Sequence, residues 1–189
     1  MRKNVMCLMM AVAVLCCTAS CEDDKDDHRE RWMIANTAAI NALKSNPEYK
    51  ELRSPGNEGS LYYKVLEAGT GTNPILYTST VRYYFKGWYI ADYPEYNIKS
   101  GDVFGQQLFD DGPPYSSTIN DPEDLSLIAG WKTALQHMVQ GDKWEIWIPY
   151  QLGYGRNDFK ASSSSRPIPG CSTLVFELEI QSVRGIDGY

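Results

Sequence analysis

The side chains able to do acid–base or nucleophilic chemistry are few in this chain. Its two histidines are His28, in an acidic stretch, and His137, on the polar side of a predicted helix, so neither suits a Ser-His-Asp or Cys-His arrangement. The neighbours Asp110 and Asp111 point in opposite directions on an extended chain, which argues against a paired acid and base. Phosphate-binding glycine loops and Cys/His metal spacings are also lacking. The sequence therefore argues against covalent catalysis, and we expect no metal or cofactor.

The segment "IAGWKTALQHM" predicts a short amphipathic helix. Apolar side chains at i, i+3, i+4, i+7 and i+8 form one stripe that begins with Trp131. Gly141 is the expected stop of this helix. Taken alone, the pattern favours a tryptophan that is simply packed in the core.

Alternating apolar residues predict the strands that must position this helix. "LYYKVLEAG" is a candidate strand closed by Gly69, and a second runs through "VRYYFKG" with every other side chain inward. "KWEIWIP" and "TLVFELEIQSV" repeat the pattern, whereas residues 88–102 form an irregular insertion. We expect an α+β fold in which an antiparallel sheet packs one face against the helix.

The first residues have the composition of an export signal. Arg2 and Lys3 precede an apolar run at residues 5–15, and small residues lead to Cys21. This resembles the lipobox of bacterial lipoproteins, and the acidic tract "EDDKDD" resembles the export tract of Bacteroides-like lipoproteins, although a solvated spacer explains it equally well. We predict a signal peptide at 1–20, acylation of Cys21 and a membrane anchor. The resemblance implies an outer-membrane lipoprotein of the cell envelope, facing either the periplasm or the cell surface.

Residues 21–58 are predicted to hold the acylated cysteine, a charged linker up to about Arg29, and a helix in "RWMIANTAAINALKSNP" that Pro47 ends. This helix is either a spacer or a weak self-association element. The domain proper is expected at 59–189. With 24 acidic against 18 basic residues and no basic face, a nucleic-acid partner is not expected.

Five segments in order identify a family resemblance: "VRYYFKG", "LFDD", "LIAGWKTALQHMVQGDK", "IPYQLGYG" and "PIPGCSTLVFELEI". Together they resemble the FKBP-type peptidyl-prolyl cis-trans isomerases over residues 59–184. The resemblance implies a half-barrel, in which a strongly twisted antiparallel sheet wraps around one short helix. It also implies an isomerase that acts on proline-containing polypeptides.

The resemblance further implies an aromatic pocket with Trp131 as its floor. The residues expected to line it are Phe85, Phe109, Asp110, Tyr115, Leu127, Ile128, Trp131, Tyr154, Ile168 and Phe176. On this template Asp110 is the polar wall residue. The main-chain N–H of Ile128 and the phenol of Tyr154 would hold substrate carbonyls.

Departures from the family pattern leave two functions open. Phe85 stands where active members commonly carry Tyr, the stretch from Gly87 to Phe109 is long, and the loop between Tyr154 and Ile168 is rich in serine. The first hypothesis is an anchored isomerase that assists folding of envelope proteins. The second is a non-catalytic binding module, which holds a peptide in the same pocket or meets a glycan or partner through exposed aromatics at Trp88, Tyr89, Tyr93 and Tyr96. Those aromatics would otherwise cover the sheet edge.

Overall fold

The computed structural model describes residues 20–89, 103–122, 124, 127–160 and 167–185. In chain order the elements are α1 (Ser20–Leu43), β1 (Lys50–Arg53), β2 (Ser60–Glu67), β3 (Thr80–Tyr89), β4 (Val103–Gln107), β5 (Tyr115–Thr118), α2 (Ala129–Leu135), β6 (Lys143–Ile148) and β7 (Leu174–Arg184). Single 3-10 turns occupy Phe109–Asp111 and Tyr150–Leu152. Within these residues the strands form one antiparallel sheet in the order β1-β2-β6-β7-β3-β4, and β5 pairs with β3. The predicted α+β fold is confirmed.

The inner face of the sheet packs against α2. The apolar positions predicted from alternation point to this face, including Tyr83 on β3, Ile146 on β6 and Leu178 on β7, all almost fully buried. They surround Trp131 and Leu135 of α2 in one core. Because side chains alternate along a strand, the same strands send a second set of residues to the opposite face.

The outer face is covered by α1. Ala39, Ile40 and Leu43 of the helix pack with Trp88 and Trp147 of the sheet in a separate buried cluster. Trp88 is only 4% exposed and Tyr89 only 8%. Of the two alternatives left open for these aromatics, exposure is therefore wrong for both: Trp88 packs in the outer-face cluster, and Tyr89 packs in the inner core against Trp32 and Phe104. Tyr93 and Tyr96 lie outside the described residues.

Helix α1 is longer at its start than the sequence predicts. It begins at Ser20 and runs through the stretch predicted as a charged linker, and it ends at Leu43, before Pro47. Acidic residues in the first turns of a helix are favoured by its dipole, which is consistent with helical structure in "EDDKDD". Within the described residues no helix has the length and apolar content needed to cross a bilayer.

The sheet also begins earlier than the expected domain start near Gly59. Strand β1 pairs along its length with β2, from Lys50 opposite Tyr63 to Arg53 opposite Ser60. A turn of polar residues separates the two strands, with Asn57 at a φ of 58°. The segment before Gly59 therefore contributes an edge strand, while the division of the chain at residues 20 and 58 stays a prediction.

Helix α2 is shorter than the apolar stripe suggests. It ends at Leu135, and the chain continues to Gly141 in turns. Met138 is nevertheless 1% exposed. The carboxylate of Asp142 accepts from the N–H groups of Val139 and Gly69. It thereby satisfies the Val139 donor, which a longer helix would have paired with a carbonyl of its own. Gly141 has a φ of 89°, which favours glycine at this position.

Candidate active site

Trp131 lies at the centre of a group of aromatic rings on the inner face of the sheet. Its indole is 3% exposed, and the rings of Phe176, Tyr83 and Phe85 meet it at centroid distances of 4.9, 5.1 and 5.5 Å. The interplanar angles are 75°, 81° and 81°, so each is an edge-to-face contact of the kind aromatic rings prefer. We call these four residues the Trp131 cluster.

The chain enters α2 from an extended Ile128, which sets the position of the indole. Ile128 has φ −62° and ψ 159° and is the residue immediately before the helix. A Cβ on Gly130 would lie 2.4 Å from Cγ2 of Ile148, so only glycine lets the first turn of α2 approach β6 this closely. This contact places Trp131 directly on the sheet.

Tyr154, Phe159 and Ile168 form a second group beside this cluster. The rings of Tyr154 and Phe159 stack face to face at 3.8 Å and 4°. Phe159 and Ile168 pair as an isolated bridge, with backbone N···O distances of 2.9 and 2.7 Å. Phe159 was not among the predicted residues, and the only sequence signal for it was a single aromatic in a polar loop.

The phenol of Tyr154 is kept protonated. Burial, and to a lesser degree the negative charge of Asp124, raises its pKa to about 12. Tyr83 behaves in the same way: burial is again the largest cause, and its pKa rises to about 12 although the hydroxyl shares a hydrogen bond with Ser117. Both tyrosines therefore keep their proton to a higher pH than an ordinary phenol, and Tyr154 is able to donate a hydrogen bond.

Phe109 and Asp110 lie outside the inner core that contains the Trp131 cluster. Phe109 is 78% exposed, and its ring meets Tyr84, whose side chain is on the outer face, at 5.9 Å. Asp110 is exposed and borders a surface groove that is also lined by Phe85, Lys143 and Glu179. Phe109 and Asp110 lie in the 3-10 turn after β4 and outside the inner core, and their place in the pocket stays a prediction.

Phe104 of β4 takes the place that sequence analysis gave to Phe109. Its ring is half-buried and meets Phe176 edge-on at 5.4 Å and 90°. The next residue is Gly105, where a Cβ would lie 3.5 Å from Cε2 of Phe85. The position beside Phe85 therefore carries no side chain, and the wall has neither the tyrosine hydroxyl nor the carboxylate that the resemblance implies.

The other predicted residues come together on one side of the sheet. Those that share the inner core are Phe85, Leu127, Ile128, Trp131, Tyr154, Ile168 and Phe176. Tyr115 is 53% exposed and contacts Phe85 at 5.7 Å, so it lies at the edge of the group. Their catalytic roles stay predictions. Among the described residues no three His, Cys, Asp or Glu side chains are grouped as a metal site.

A family model for the FKBP-type peptidyl-prolyl cis-trans isomerases matches residues 73–181, which is more than half of the chain. The chain belongs to this family. An FKBP-type 22 kDa peptidyl-prolyl cis-trans isomerase of Escherichia coli is 31% identical over 155 residues, covering 82% of this chain and 64% of the relative. The outer membrane protein MIP of Legionella longbeachae is 30% identical over 152 residues, covering 78% of this chain and 52% of the relative.

Solved structures agree with this FKBP-type assignment. A peptidyl-prolyl cis-trans isomerase from Pseudomonas syringae has a TM-score of 0.60 at 28% identity, covering 82% of this chain and 94% of that one. FkpA from Escherichia coli has a TM-score of 0.61 at 25% identity, covering 86% of this chain and 63% of that one. The FKBP-type chain described here spans about half to two thirds of the length of the curated relatives above.

Proposed function

We propose that this chain is a peptidyl-prolyl cis-trans isomerase that binds Xaa-Pro segments of polypeptides over the Trp131 cluster. The observation that carries the proposal is the ring geometry: three aromatic edges surround one buried indole, in a chain that belongs to the FKBP-type family. A flat pyrrolidine ring would lie on the indole between these edges. The pocket itself, and the residues that line it, are part of this proposal.

The reaction suits an apolar site because isomerisation breaks no bond. It has only to twist an amide whose resonance sets a barrier of about 18–20 kcal/mol. The planar amide is more polar and better hydrated than the twisted one, so a dry aromatic site disfavours the ground state more than the transition state. No proton has to leave a side chain, which agrees with the lack of a suitable histidine.

Two donors would fix the carbonyls that flank the proline. One is the main-chain N–H of Ile128, which lies just before α2, and the other is the phenol of Tyr154. The raised pKa of Tyr154 keeps that donor protonated further into the alkaline range than an ordinary phenol. Hydrogen bonds at both ends would hold the peptide while the amide between them rotates.

A non-catalytic peptide-binding module is the second candidate, and the wall beside Phe85 favours it. Both Phe85 and Gly105 lack the polar groups that the family resemblance implies there. Such a site would still bind proline-containing peptides through Trp131. A glycan surface built on Trp88 and Tyr89 has less support, since both are buried.

Cis–trans exchange of a short Xaa-Pro peptide, followed by NMR in the presence of the full chain in detergent, tests these candidates. We expect the wild type to accelerate the exchange. Trp131→Ala should lose most of this acceleration, and Tyr154→Phe should lose part of it. Trp147→Ala, on the outer face, is the matched control for loss of a buried indole. Peptide binding without acceleration would refute the isomerase and support the binding module.

We further propose that the chain is anchored to the cell envelope through an acylated Cys21 and assists folding of envelope proteins. The sequence "TASC" before an acidic tract supports the anchor. Replacement of Cys21 by Ser should release the chain from the membrane fraction, and unchanged retention would contradict the anchor. A proline-limited client protein should refold faster in the presence of the wild type than of Trp131→Ala.

A further inference from the structure

Trp32 of helix α1 lies on the side of the sheet that carries the Trp131 cluster. The indole of Trp32 is half-buried and packs against the inner core, whereas Ala39, Ile40 and Leu43 of the same helix pack in the outer-face cluster. One helix therefore contacts both sides of the sheet. Its inner contact continues toward the proposed site by two independent routes.

The first route is a chain of aromatic rings. Trp32 meets Tyr89 edge-on at 6.2 Å and 77°, and Tyr89 stacks against Phe104 at 6.4 Å and 18°. Phe104 meets Phe176 at 5.4 Å, and Phe176 meets Trp131 at 4.9 Å. Because protein interiors are closely packed, a displacement of one ring is transmitted to the next.

The second route is a pair of hydrogen bonds. The indole Nε1–H of Trp32 donates to Oγ of Ser172 at 3.1 Å, and the Ser172 hydroxyl donates to the main-chain oxygen of Pro169 at 2.6 Å. Pro169 is the residue after Ile168, which belongs to the inner core beside Tyr154 and Phe159. Trp32 is thus connected to the proposed site at two places, the Phe104–Phe176 contact and the backbone beside Ile168.

Asn36, one turn along the helix, holds α1 at this place. Its side chain is 1% exposed, and Oδ1 accepts from the N–H of Thr173 at 2.6 Å. The Thr173 hydroxyl donates to the main-chain oxygen of Asn36 at 3.1 Å. Buried polar groups need specific partners, so these bonds fix the register of α1 against the start of β7.

We propose that Trp32 is a positioning residue for the isomerase site, an inference that rests on the proposed function. The indole holds Phe104 through Tyr89 and holds the backbone beside Ile168 through Ser172. The N-terminal helix is then an integral part of the working domain, because two walls of the site take their positions from it.

Activity of the full chain in detergent provides the first test. Trp32→Ala should lower kcat/KM for an Xaa-Pro peptide by about tenfold, since small misplacements of binding groups are costly to catalysis. Trp32→Phe keeps a ring against Tyr89 but loses the donor to Ser172, so it should recover part of this loss. Ile40→Ala is the matched control, because it removes packing from the same helix on the outer face. It should change kcat/KM by less than about twofold.

The indole N–H signal of Trp131 in a two-dimensional NMR spectrum provides a second test that needs no catalysis. The signal is assigned by its disappearance in Trp131→Phe. Trp32→Ala should shift it through movement of the Phe176 ring, whereas Ile40→Ala should leave it in place. Equal loss of kcat/KM in Trp32→Ala and Ile40→Ala, or an unmoved Trp131 signal in Trp32→Ala, would overturn the inference. If the wild type is inactive, the proposed function fails, and the NMR signal alone decides whether Trp32 positions the cluster.

Discussion

The two faces of the sheet carry similar aromatic residues but differ in what covers them. On the outer face, Trp88 and Trp147 are closed over by Ala39, Ile40 and Leu43 of α1. On the inner face, Trp131 is equally buried, yet its neighbour Phe85 is half-buried and Tyr115 at the edge is 53% exposed. A buried tryptophan is therefore not sufficient to define a site. The inner face differs because its ring contacts continue from Trp131 through Phe85 to Tyr115, a ring that is largely exposed.

Removal of one tryptophan from each face gives the largest expected effects. Trp131→Ala and Trp147→Ala should each lower the free energy of unfolding by about 3–5 kcal/mol, since both delete a large buried ring. Only Trp131→Ala should also abolish acceleration of Xaa-Pro exchange. Urea denaturation and the peptide assay on the folded fraction measure the two quantities. Equal activity in the two variants would mean that the faces do not differ in function.

Gly130→Ala tests how closely α2 must approach the inner face. The new Cβ would be 2.4 Å from Ile148. We therefore expect the free energy of unfolding to fall by about 1–3 kcal/mol, and activity to fall as Trp131 moves. Gly105→Ala is a suitable control, because its Cβ would lie in ordinary contact with Phe85 at 3.5 Å. Thermal denaturation should show a clear loss of stability for Gly130→Ala and little loss for Gly105→Ala. A fully stable Gly130→Ala would contradict the packing described here.

A double-mutant cycle at Phe85 and Gly105 examines the apolar wall. Combining Phe85→Tyr with Gly105→Asp should restore a hydroxyl–carboxylate pair, because the Cβ at 105 would point at the Phe85 ring. We expect a favourable coupling energy of about 1.5–3 kcal/mol in stability, of the size measured for hydrogen bonds to charged groups. Gly105→Asp alone should be destabilising, since its carboxylate has no partner. If the two changes in stability simply add in the double variant, the side chains at positions 85 and 105 do not contact each other.

The smallest expected effect is a loss of stability at alkaline pH, caused by Tyr154 on the inner face. The pKa of Tyr154 is raised from 10.0 to about 12, so between these values the unfolded chain loses the phenolic proton while the folded chain keeps it. The stability that this group contributes is therefore complete below pH 10 and is lost as the pH rises to 12. Denaturation curves should show a shallower decline for Tyr154→Phe, and a decline identical to the wild type would contradict the burial of this phenol. The pKa of Tyr83 is also raised to about 12, so Tyr83 should account for part of the loss of stability that remains in Tyr154→Phe.

Alternation and helical spacing were sufficient to predict most of the inner face. Strands β2, β3, β6 and β7 and the apolar side of α2 are confirmed, because each pattern reports directly which side chains are buried. The family resemblance rests on the same segments. Phe85, Ile128, Trp131, Tyr154 and Phe176 all share one core as a result.

Short motifs outside regular elements were less informative. "LFDD" matched the expected Phe-Asp pair, yet Phe109 and Asp110 lie in the turn after β4, and it is Phe104 that contacts Phe176. A two-residue match does not specify where the pair lies relative to the strands: β4 ends at Gln107, so the pair falls in the turn that follows it.

The sequence by itself determined strands β2, β3, β6 and β7, the short helix and most of the aromatic core, since the spacing of apolar residues reports which side chains are buried. Only the tertiary structure decided that Phe104 rather than Phe109 adjoins the Trp131 cluster, that Gly105 leaves Phe85 without a polar neighbour, and that Trp32 of α1 reaches the same side. These are contacts between residues far apart in the chain. They depend on strand register and on how α1 crosses the sheet, which no local pattern encodes.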